Sequence, residues 1–197
     1  MLVYLSGPHG AGKSTLAKTV VERFPNPVIL YPEDTFTFPK VEENYYERLK
    51  AKLLRYYFEY IDQKKKDTIN SLLLCNRCVY DSVAYSRAYH ALGWINSAQL
   101  RTLQEITDRL FDQLPKKVII LNPSFETLQH HLETRWATGT KKWSEDNFMY
   151  LSAVQQEFSV LYQDRNESEA DHSLLYLSEE SLEEKVNVVN QWLHLDY

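Results

Sequence analysis

The sequence predicts an α/β fold: a five-stranded parallel sheet with helices on both faces and a short lid. Two observations support this prediction. Short apolar runs alternate along the chain with longer segments in which apolar residues recur every three or four positions. No repeat, linker or low-complexity tract interrupts this alternation, so we expect a single domain over residues 1–197.

The predicted strands are short apolar runs bounded by turn-forming residues. The first run ends at Ser6-Gly7 and the fourth ends at Asn122-Pro123. Their continuous apolar character is typical of strands that are buried on both faces of a parallel sheet. The predicted strands are 2–5, 28–31, 72–75, 117–121 and 173–177.

The predicted helices are longer and end at proline, glycine or polar capping residues. In the first helix, Leu16, Val20 and Phe24 recur on one face. Ser97 is the predicted cap of a helix that ends before Pro115. The predicted helices are 13–24, 41–66, 79–92, 97–114, 124–136, 145–164 and 179–193, with loops at 32–40 and 137–144.

Composition and charge narrow the class of protein. Hydrophobic residues make up 44% and charged residues 25% of the chain, as in ordinary globular proteins. No stretch approaches the roughly 20 apolar residues that cross a bilayer, and no signal peptide is recognisable, so we expect an intracellular, cytoplasmic protein. The net charge of −5 argues against a nucleic-acid partner, since polynucleotide binders usually present a basic face.

The two cysteines, Cys75 and Cys78, stand in a C-x-x-C spacing. A zinc site would need a second pair of ligands, and the sequence has no second cysteine pair. The motif follows an apolar run and does not open an exposed helix, which favours two small residues at a strand end over a redox pair.

Residues 7–14 read G-P-H-G-A-G-K-S and fit the pattern G-x-x-x-x-G-K-[ST]; we call them the phosphate loop. The glycines allow several backbone N–H groups to point at one anion, and the helix that follows favours negative charge at its start. Lys13 is expected to reach the β- and γ-phosphates of ATP and Ser14 to ligate Mg²⁺. The predicted phosphate-binding residues are Gly7, His9, Gly10, Ala11, Gly12, Lys13, Ser14 and Thr15. We assign no role to the His9 side chain, because such a side chain commonly faces solvent.

Residues 76–86, N-R-C-V-Y-D-S-V-A-Y-S, resemble the D-R-Y-x-[FY]-S-G-V-A-[FY] segment of thymidylate kinases. Their first half also resembles the E-R-S-[IV]-Y-S segment of deoxynucleoside kinases. Residues 122–124 and the downstream Arg135 resemble the turn and helix that lead into the lid of these enzymes. The two groups share a three-layer P-loop NTPase fold, and small viral thymidine-kinase-like members have about this length. The resemblance implies a kinase that uses ATP and Mg²⁺, and a homodimer.

The resemblance also implies roles for the basic residues. Arg77 follows a strand, where ligands of open α/β sheets bind, and would hold the acceptor or a phosphate. Arg135, Lys141 and Lys142 would belong to a lid at about 136–145 that supplies positive charge to the transferring phosphoryl group. A surface ion pair for Arg77, and a solvated basic loop for the two lysines, are the structural alternatives.

Glu33 and Asp34 follow the second predicted strand. In deoxynucleoside kinases a glutamate at this place accepts the proton of the sugar hydroxyl, and Glu33 matches it better than Asp34. Thymidylate kinases carry an arginine here, which this sequence lacks, so the resemblance favours a nucleoside acceptor. An acidic loop that caps a helix is the alternative.

Asn76 departs from the family, which has an aspartate or glutamate there to support Mg²⁺. Glu33, Asp34 or Asp81 would have to take that part, with Asp34 named as the second metal candidate beside Ser14. A protein that binds nucleotide without catalysis is the other interpretation of Asn76.

The acceptor pocket is predicted from one helix and from the 76–86 segment. Tyr57 and Phe58 lie in an aromatic cluster at 56–60 that could stack the acceptor's base, although such clusters are more often part of a core. Asp81 and Tyr85 match family positions that line the base and sugar pocket.

Three functions remain open. The first is ATP-dependent phosphorylation of the 5′ position of a pyrimidine deoxynucleoside, thymidine-like. The second is phosphorylation of dTMP to dTDP, which the longer match at 83–86 favours. The third is a non-catalytic nucleotide-binding protein.

Overall fold

The computed structural model describes residues 1–26, 28–32, 44–66, 71–111, 117–140, 144–168 and 173–195. The strands in this part of the chain form one sheet in the order β2-β3-β1-β4-β5, with every pairing parallel. The predicted sheet is therefore confirmed. The strands are β1 Leu2–Ser6, β2 Val28–Leu30, β3 Leu72–Asn76, β4 Val118–Leu121 and β5 Leu174–Leu177.

Each predicted helix has a counterpart among the described residues. They are α1 Lys13–Arg23, α2 Tyr45–Lys66, α3 Val79–Ala91, α4 Ser97–Phe111, α5 Phe125–Ala137, α6 Phe148–Ser168 and α7 Leu182–Leu193. Within the ranges that the structure describes, no helix is long and apolar enough to cross a membrane.

Asparagine side chains cap two helices, which the prediction did not foresee: the cap of α4 and the start of α6 differ from it, and α7 starts after Ser181 instead of at 179. Asn96 Oδ1 accepts a hydrogen bond from the backbone N–H of Gln99, so the cap of α4 is Asn96 and not Ser97. Asn147 caps α6 in the same way, and that helix begins at Phe148 instead of at 145. The prediction placed the helical pattern correctly and misjudged which polar residue ends the preceding loop.

The sheet separates two apolar cores. Successive side chains of a strand point to opposite faces, and along β1 Val3 and Leu5 enter one core while Leu2 and Tyr4 enter the other. Helices α1 and α7 cover the first face, and α2, α3 and α6 cover the second. Strands that are covered on both faces explain the continuous apolar runs in the sequence.

The connections that leave β1 and β3 run to opposite faces of the sheet. The phosphate loop leads from β1 to α1, whereas residues 77 and 78 lead from the neighbouring β3 to α3. Diverging connections at adjacent strands open a crevice at the carboxyl edge of a parallel sheet, which is where such sheets bind ligands.

Both cysteines lie next to this crevice as buried thiols, and neither forms a disulfide. Cys78 is the N-cap residue of α3 and Cys75 lies in β3. Their positions agree with the interpretation of two small residues at a strand end.

Candidate active site

The crevice opens into a cleft of about 1030 Å³ at the carboxyl edge of the sheet. Lys13, Ser14, Arg77 and Arg135, which were predicted from separate parts of the sequence, all line it. The remaining walls come from one face of α2, from α5 and from residues 178–182. The structure therefore brings the phosphate loop and the two predicted arginines to a single site.

The backbone of the phosphate loop fixes its shape. Gly7 has φ +144°, and a Cβ atom there would lie 2.1 Å from the carbonyl oxygen of Leu121 in β4. Gly12 is the N-cap residue of α1 with φ +86°, which a side chain would strain. The loop and the first turn of α1 line the cleft, and a glycine-rich loop at the start of a helix is the arrangement that forms an anion cradle.

Lys13 is buried at the mouth of this loop. Its Nζ atom donates hydrogen bonds to the backbone oxygens of Gly7 at 2.7 Å and of Pro8 at 2.6 Å. Ser14 and Thr15, in the first turn of α1, line the cleft beside it. The lysine is thus placed at the entrance of the cradle, close to where a bound phosphate would lie.

His9 differs from the expectation that its side chain faces solvent. It is only 12% exposed, and its Nδ1 atom lies 3.2 Å from Glu145 Oε1. Its ring packs against those of Tyr85 and Tyr150, with centroids 5.7 and 6.3 Å away. Burial lowers the pKa of His9 to about 3 in spite of the opposing contact with Glu145, so the ring is neutral at physiological pH.

Glu145 is fully buried and joins three parts of the site. Besides His9, its carboxylate contacts the guanidinium of Arg135 and accepts a long hydrogen bond of 3.5 Å from Trp136 Nε1. The end of α5 is thereby tied to the phosphate loop. Sequence reasoning placed Arg135 here but gave no role to Glu145, which stood at the boundary between the predicted lid and the next predicted helix.

Arg77 occupies a strained position directly after β3. Its φ is +70°, which is uncommon for a residue other than glycine and costs on the order of 1–3 kcal/mol. Its backbone N–H donates to the carbonyl oxygen of Leu5 at 2.7 Å. The unusual backbone angle directs the chain from β3 into α3 while the Arg77 side chain lines the cleft.

The side chains of Asp81 and Tyr85 both contact the guanidinium of Arg77. Asp81 is fully buried; its Oδ1 accepts from Arg77 Nη1 at 3.2 Å, and its Oδ2 accepts from Ser6 Oγ at 2.8 Å and from the N–H of Cys78 at 2.9 Å. The hydroxyl of Tyr85 lies 3.4 Å from the same arginine nitrogen. Both residues contact Arg77 and neither lines the cleft in this structure, so their predicted place in the base and sugar pocket stays a prediction.

One face of α2 forms another wall of the cleft, and the aromatic residue on it differs from the two that were predicted. Tyr56 lines the cleft, whereas Tyr57 and Phe58 do not, and Phe58 is 45% exposed. An α-helix has 3.6 residues per turn, so neighbours in sequence point in different directions. Residues three or four positions apart lie on the same face and can line the same wall of the cleft. The cleft-lining residues of α2 are Arg48, Lys52, Arg55, Tyr56 and Glu59. Their helical spacing is visible in the sequence and could have predicted which residues of α2 face the cleft.

The far end of the cleft lies between α5 and the start of α7. Glu179 is central there: its carboxylate contacts the N–H of Ser124 and accepts from Thr127 Oγ1 at 3.0 Å, which fixes the loop after β5 against the start of α5. His131 of α5 lies 2.8 Å from the backbone oxygen of Gly10. Helix α5 therefore contacts the phosphate loop from its middle and Glu179 at its start.

The fit of the site to Mg²⁺ depends on few of the described residues. Ser14 and Asn76 line the cleft near the phosphate loop and supply neutral oxygen atoms. Asp81, one of the carboxylates considered as a substitute for Asn76, is occupied by Ser6, Arg77 and the N–H of Cys78. The other predicted residues, Glu33, Asp34, Lys141 and Lys142, lie outside the described residues.

A glycine-rich loop at the start of a helix, a buried lysine at its mouth and an arginine across the same cleft define the class: a phosphotransferase of the P-loop type. The chain matches the deoxynucleoside kinase family over residues 3–194 and belongs to it. It is accordingly a nucleoside kinase, and the resemblance drawn from the sequence is confirmed.

Similar proteins place the chain among kinases with different substrates. It is 26% identical to the deoxyguanosine kinase of Bacillus subtilis (strain 168) over 183 residues, 91% of this chain and 86% of that protein. Its fold is similar to deoxyadenosine kinase from M. mycoides with bound dATP, at TM-score 0.71 and 15% identity over 98% of this chain and 100% of that one. It is also similar to thymidylate kinase from Candida albicans, at TM-score 0.67 and 13% identity over 98% and 90% of the two chains.

Proposed function

We propose that the protein transfers the γ-phosphoryl group of ATP, bound with Mg²⁺, to the 5′-hydroxyl of a deoxynucleoside. A pyrimidine deoxynucleoside such as thymidine is the first candidate. The observation that supports this best is that the phosphate loop and Arg77 line the same cleft, from strands that are hydrogen-bonded neighbours. Family membership favours this enzymatic function over the non-catalytic alternative.

The donor nucleotide would lie along the phosphate loop. The loop amides and Lys13 Nζ would bind the β- and γ-phosphates, and the Ser14 hydroxyl, with Asp34 as second candidate, would hold Mg²⁺. The metal supplies positive charge that neutralises these phosphates. Arg135, which Glu145 holds at the same cleft, would bind the γ-phosphate oxygens as their charge increases in the transition state.

The acceptor would lie between Arg77 and α2. Arg77 would donate to the 5′ oxygen and orient it toward the γ-phosphorus. A bond forms between the 5′ oxygen and the γ-phosphorus while the bond from that phosphorus to the β–γ bridging oxygen breaks, and ADP leaves. The hydroxyl proton passes to a carboxylate, for which Glu33 is the proposed base.

Two other acceptors have specific support. A deoxynucleoside monophosphate, dTMP in the first place, is favoured by the cations of α2 that line the same cleft as Arg77. A purine deoxynucleoside is suggested by the Bacillus subtilis relative, whose name specifies deoxyguanosine. One cleft could take more than one of these acceptors.

The test is product formation from ATP–Mg²⁺ with thymidine, deoxycytidine, deoxyguanosine, deoxyadenosine and, separately, dTMP. Lys13→Ala is the blank, and Lys18→Ala, an exposed lysine of the same helix, is the matched control. Turnover of a nucleoside supports the proposal, and the base of the accepted nucleoside shows the base preference of the acceptor pocket. Turnover of dTMP alone would show that the acceptor group is a 5′-phosphate and not a 5′-hydroxyl. No turnover of any of the five compounds would refute the proposed reaction.

A further inference from the structure

Three basic residues of α2 face the cleft at helical spacing: Arg48, Lys52 and Arg55. Positions three and four apart lie on the same side of a helix, so these side chains form a row along one wall of the cleft. Arg55 is paired within the helix, since its Nε donates to Glu59 Oε1 at 2.8 Å. Lys52 lies in the middle of the row.

Lys52 is held near Arg77 by one aromatic ring. Its Nζ lies 4.9 Å from the centroid of the Tyr85 ring, and the guanidinium carbon of Arg77 lies 5.9 Å from the same centroid. Among the described residues, Lys52 makes neither a hydrogen bond nor an ion pair; its charged contact is with this ring. Two cations thus lie close to the same aromatic ring, and both belong to side chains that line the cleft.

The electrostatics of this arrangement favour an anion. Burial, together with Arg77 and Arg48, lowers the pKa of Lys52 to about 7, and Asp81 offsets only part of this. Asp81 already accepts hydrogen bonds from Arg77, Ser6 and the N–H of Cys78. A dianion between the two cations would relieve their repulsion and would form charge-assisted hydrogen bonds with both.

A phosphate monoester has the chemistry that this pair would recognise. The guanidinium of Arg77 offers a planar donor fork, and the ammonium of Lys52 adds a compact charge with three donors. A phosphate at the 5′ carbon is present in either case: in the product, if the acceptor is a nucleoside, and in the acceptor itself, if that is a nucleoside monophosphate.

We propose that Lys52 and Arg77 form a subsite for the 5′-phosphate of a nucleoside monophosphate, with Lys52 as a further substrate-binding residue. The inference rests on the proposed function, which assigns this part of the cleft to the acceptor. It adds to that function a preference for the phosphorylated acceptor over the bare nucleoside.

The test compares each nucleoside with its own monophosphate, so that the contribution of the base cancels. Calorimetric titration without ATP gives the affinities of thymidine, dTMP, deoxyguanosine and dGMP for the wild type and for Lys52→Met, Lys52→Arg and Lys50→Met. Lys50 is a matched control on the same helix, because it pairs with Glu47 at 2.7 Å and does not line the cleft. Thermal unfolding of each variant checks that it is folded.

For at least one of the two bases, we expect the wild type to bind the monophosphate about tenfold or more tightly than the nucleoside. Lys52→Met should lose most of this preference while nucleoside affinity stays within about twofold, and Lys52→Arg should keep most of it. Equal affinity of the wild type for both members of each pair would overturn the subsite. The subsite would also be overturned if Lys52→Met lost affinity for the nucleoside and for its monophosphate by the same factor.

The proposed function can fail separately. If no nucleoside is phosphorylated but monophosphates bind more tightly through Lys52, the subsite stands and the 5′-hydroxyl acceptor is wrong. Conversion of dTMP to dTDP by ATP–Mg²⁺ would make the subsite that of a second acceptor. Binding of dTMP without its turnover would make it a product site. Both of these results retain the role of Lys52.

Discussion

His9 Nδ1 lies 3.2 Å from Glu145 Oε1, and this contact joins the phosphate loop to the segment that follows α5. Glu145 also binds Arg135, so one buried carboxylate links a residue of the donor cradle to an arginine of the predicted lid. Because His9 is neutral, its N–H can donate to the carboxylate while the negative charge remains available to Arg135. The position of Arg135 therefore depends on Glu145.

Glu145→Gln tests this dependence. The amide keeps the shape of the side chain but removes the charge, and its NH₂ group would repel Arg135 in one of its two orientations. We expect kcat to fall about tenfold or more, because Arg135 would no longer be held at the transferring phosphoryl group. Steady-state kinetics with saturating ATP measures this. Glu105→Gln, at an exposed site of α4, is the control, and an unchanged kcat in Glu145→Gln would show that Arg135 is placed by other means.

Gly7→Ala tests the packing of the phosphate loop on β4. The new Cβ would lie 2.1 Å from the backbone oxygen of Leu121, so the loop or the strand must move. We expect the free energy of unfolding to fall by about 2–4 kcal/mol from overpacking and the unfavourable φ, and ATP binding to be lost. Gly93→Ala is the control, since its φ is also positive but its Cβ would meet nothing within 4 Å. Similar urea unfolding midpoints for the two variants would contradict the steric argument.

The sequence allowed prediction of the features that are encoded locally. The strands could be predicted because each apolar run is buried on both faces of the sheet. The phosphate loop could be predicted because its conformation needs glycine at fixed spacings. The contact of His9 with Glu145 joins residues far apart in the chain, and no local pattern announces it. Lys52 could be predicted only from helical phase, which decides which residues of α2 face the cleft; the aromatic composition of residues 56–60 does not indicate it.

Tyr56→Leu tests the corrected assignment of the aromatic wall. Tyr56 lines the cleft, and loss of its ring should weaken binding of the accepted nucleoside about fivefold or more if the ring stacks on the base. Phe58→Leu is the matched control, because that side chain is 45% exposed and lies outside the cleft; its affinity should stay within about twofold of the wild type. Calorimetric titration with the nucleoside compares the variants. A larger loss in Phe58→Leu would restore the original assignment to the 57–58 pair.

The pH dependence of stability gives a last test of Lys52 that does not depend on turnover. The pKa of Lys52 is about 7 in the folded protein, against about 10.4 for an unfolded lysine. Well below pH 7 both states hold the proton, so the folded protein bears the full cost of a cation that is partly withdrawn from water beside Arg77 and Arg48. As pH rises from 7 toward 10, the folded state loses the proton first and that cost diminishes.

Lys52→Met should therefore raise Tm at pH 6, by about 2–4 °C for each kcal/mol recovered, and the gain should shrink by pH 9. His9, with its pKa of about 3, stays neutral over this range and does not contribute to the difference. The charged or titratable residues around Lys52 are Tyr85, which its ammonium faces, and His9, Arg48, Arg55, Arg77 and Asp81. Lys50→Met should show no such gain, because Lys50 pairs with Glu47 at the surface. A residue kept for structure would lower Tm when replaced. A variant that gains stability while it loses monophosphate affinity identifies Lys52 as a residue retained for its ligand, whereas a lower Tm at pH 6 would show that its charge stabilises the fold.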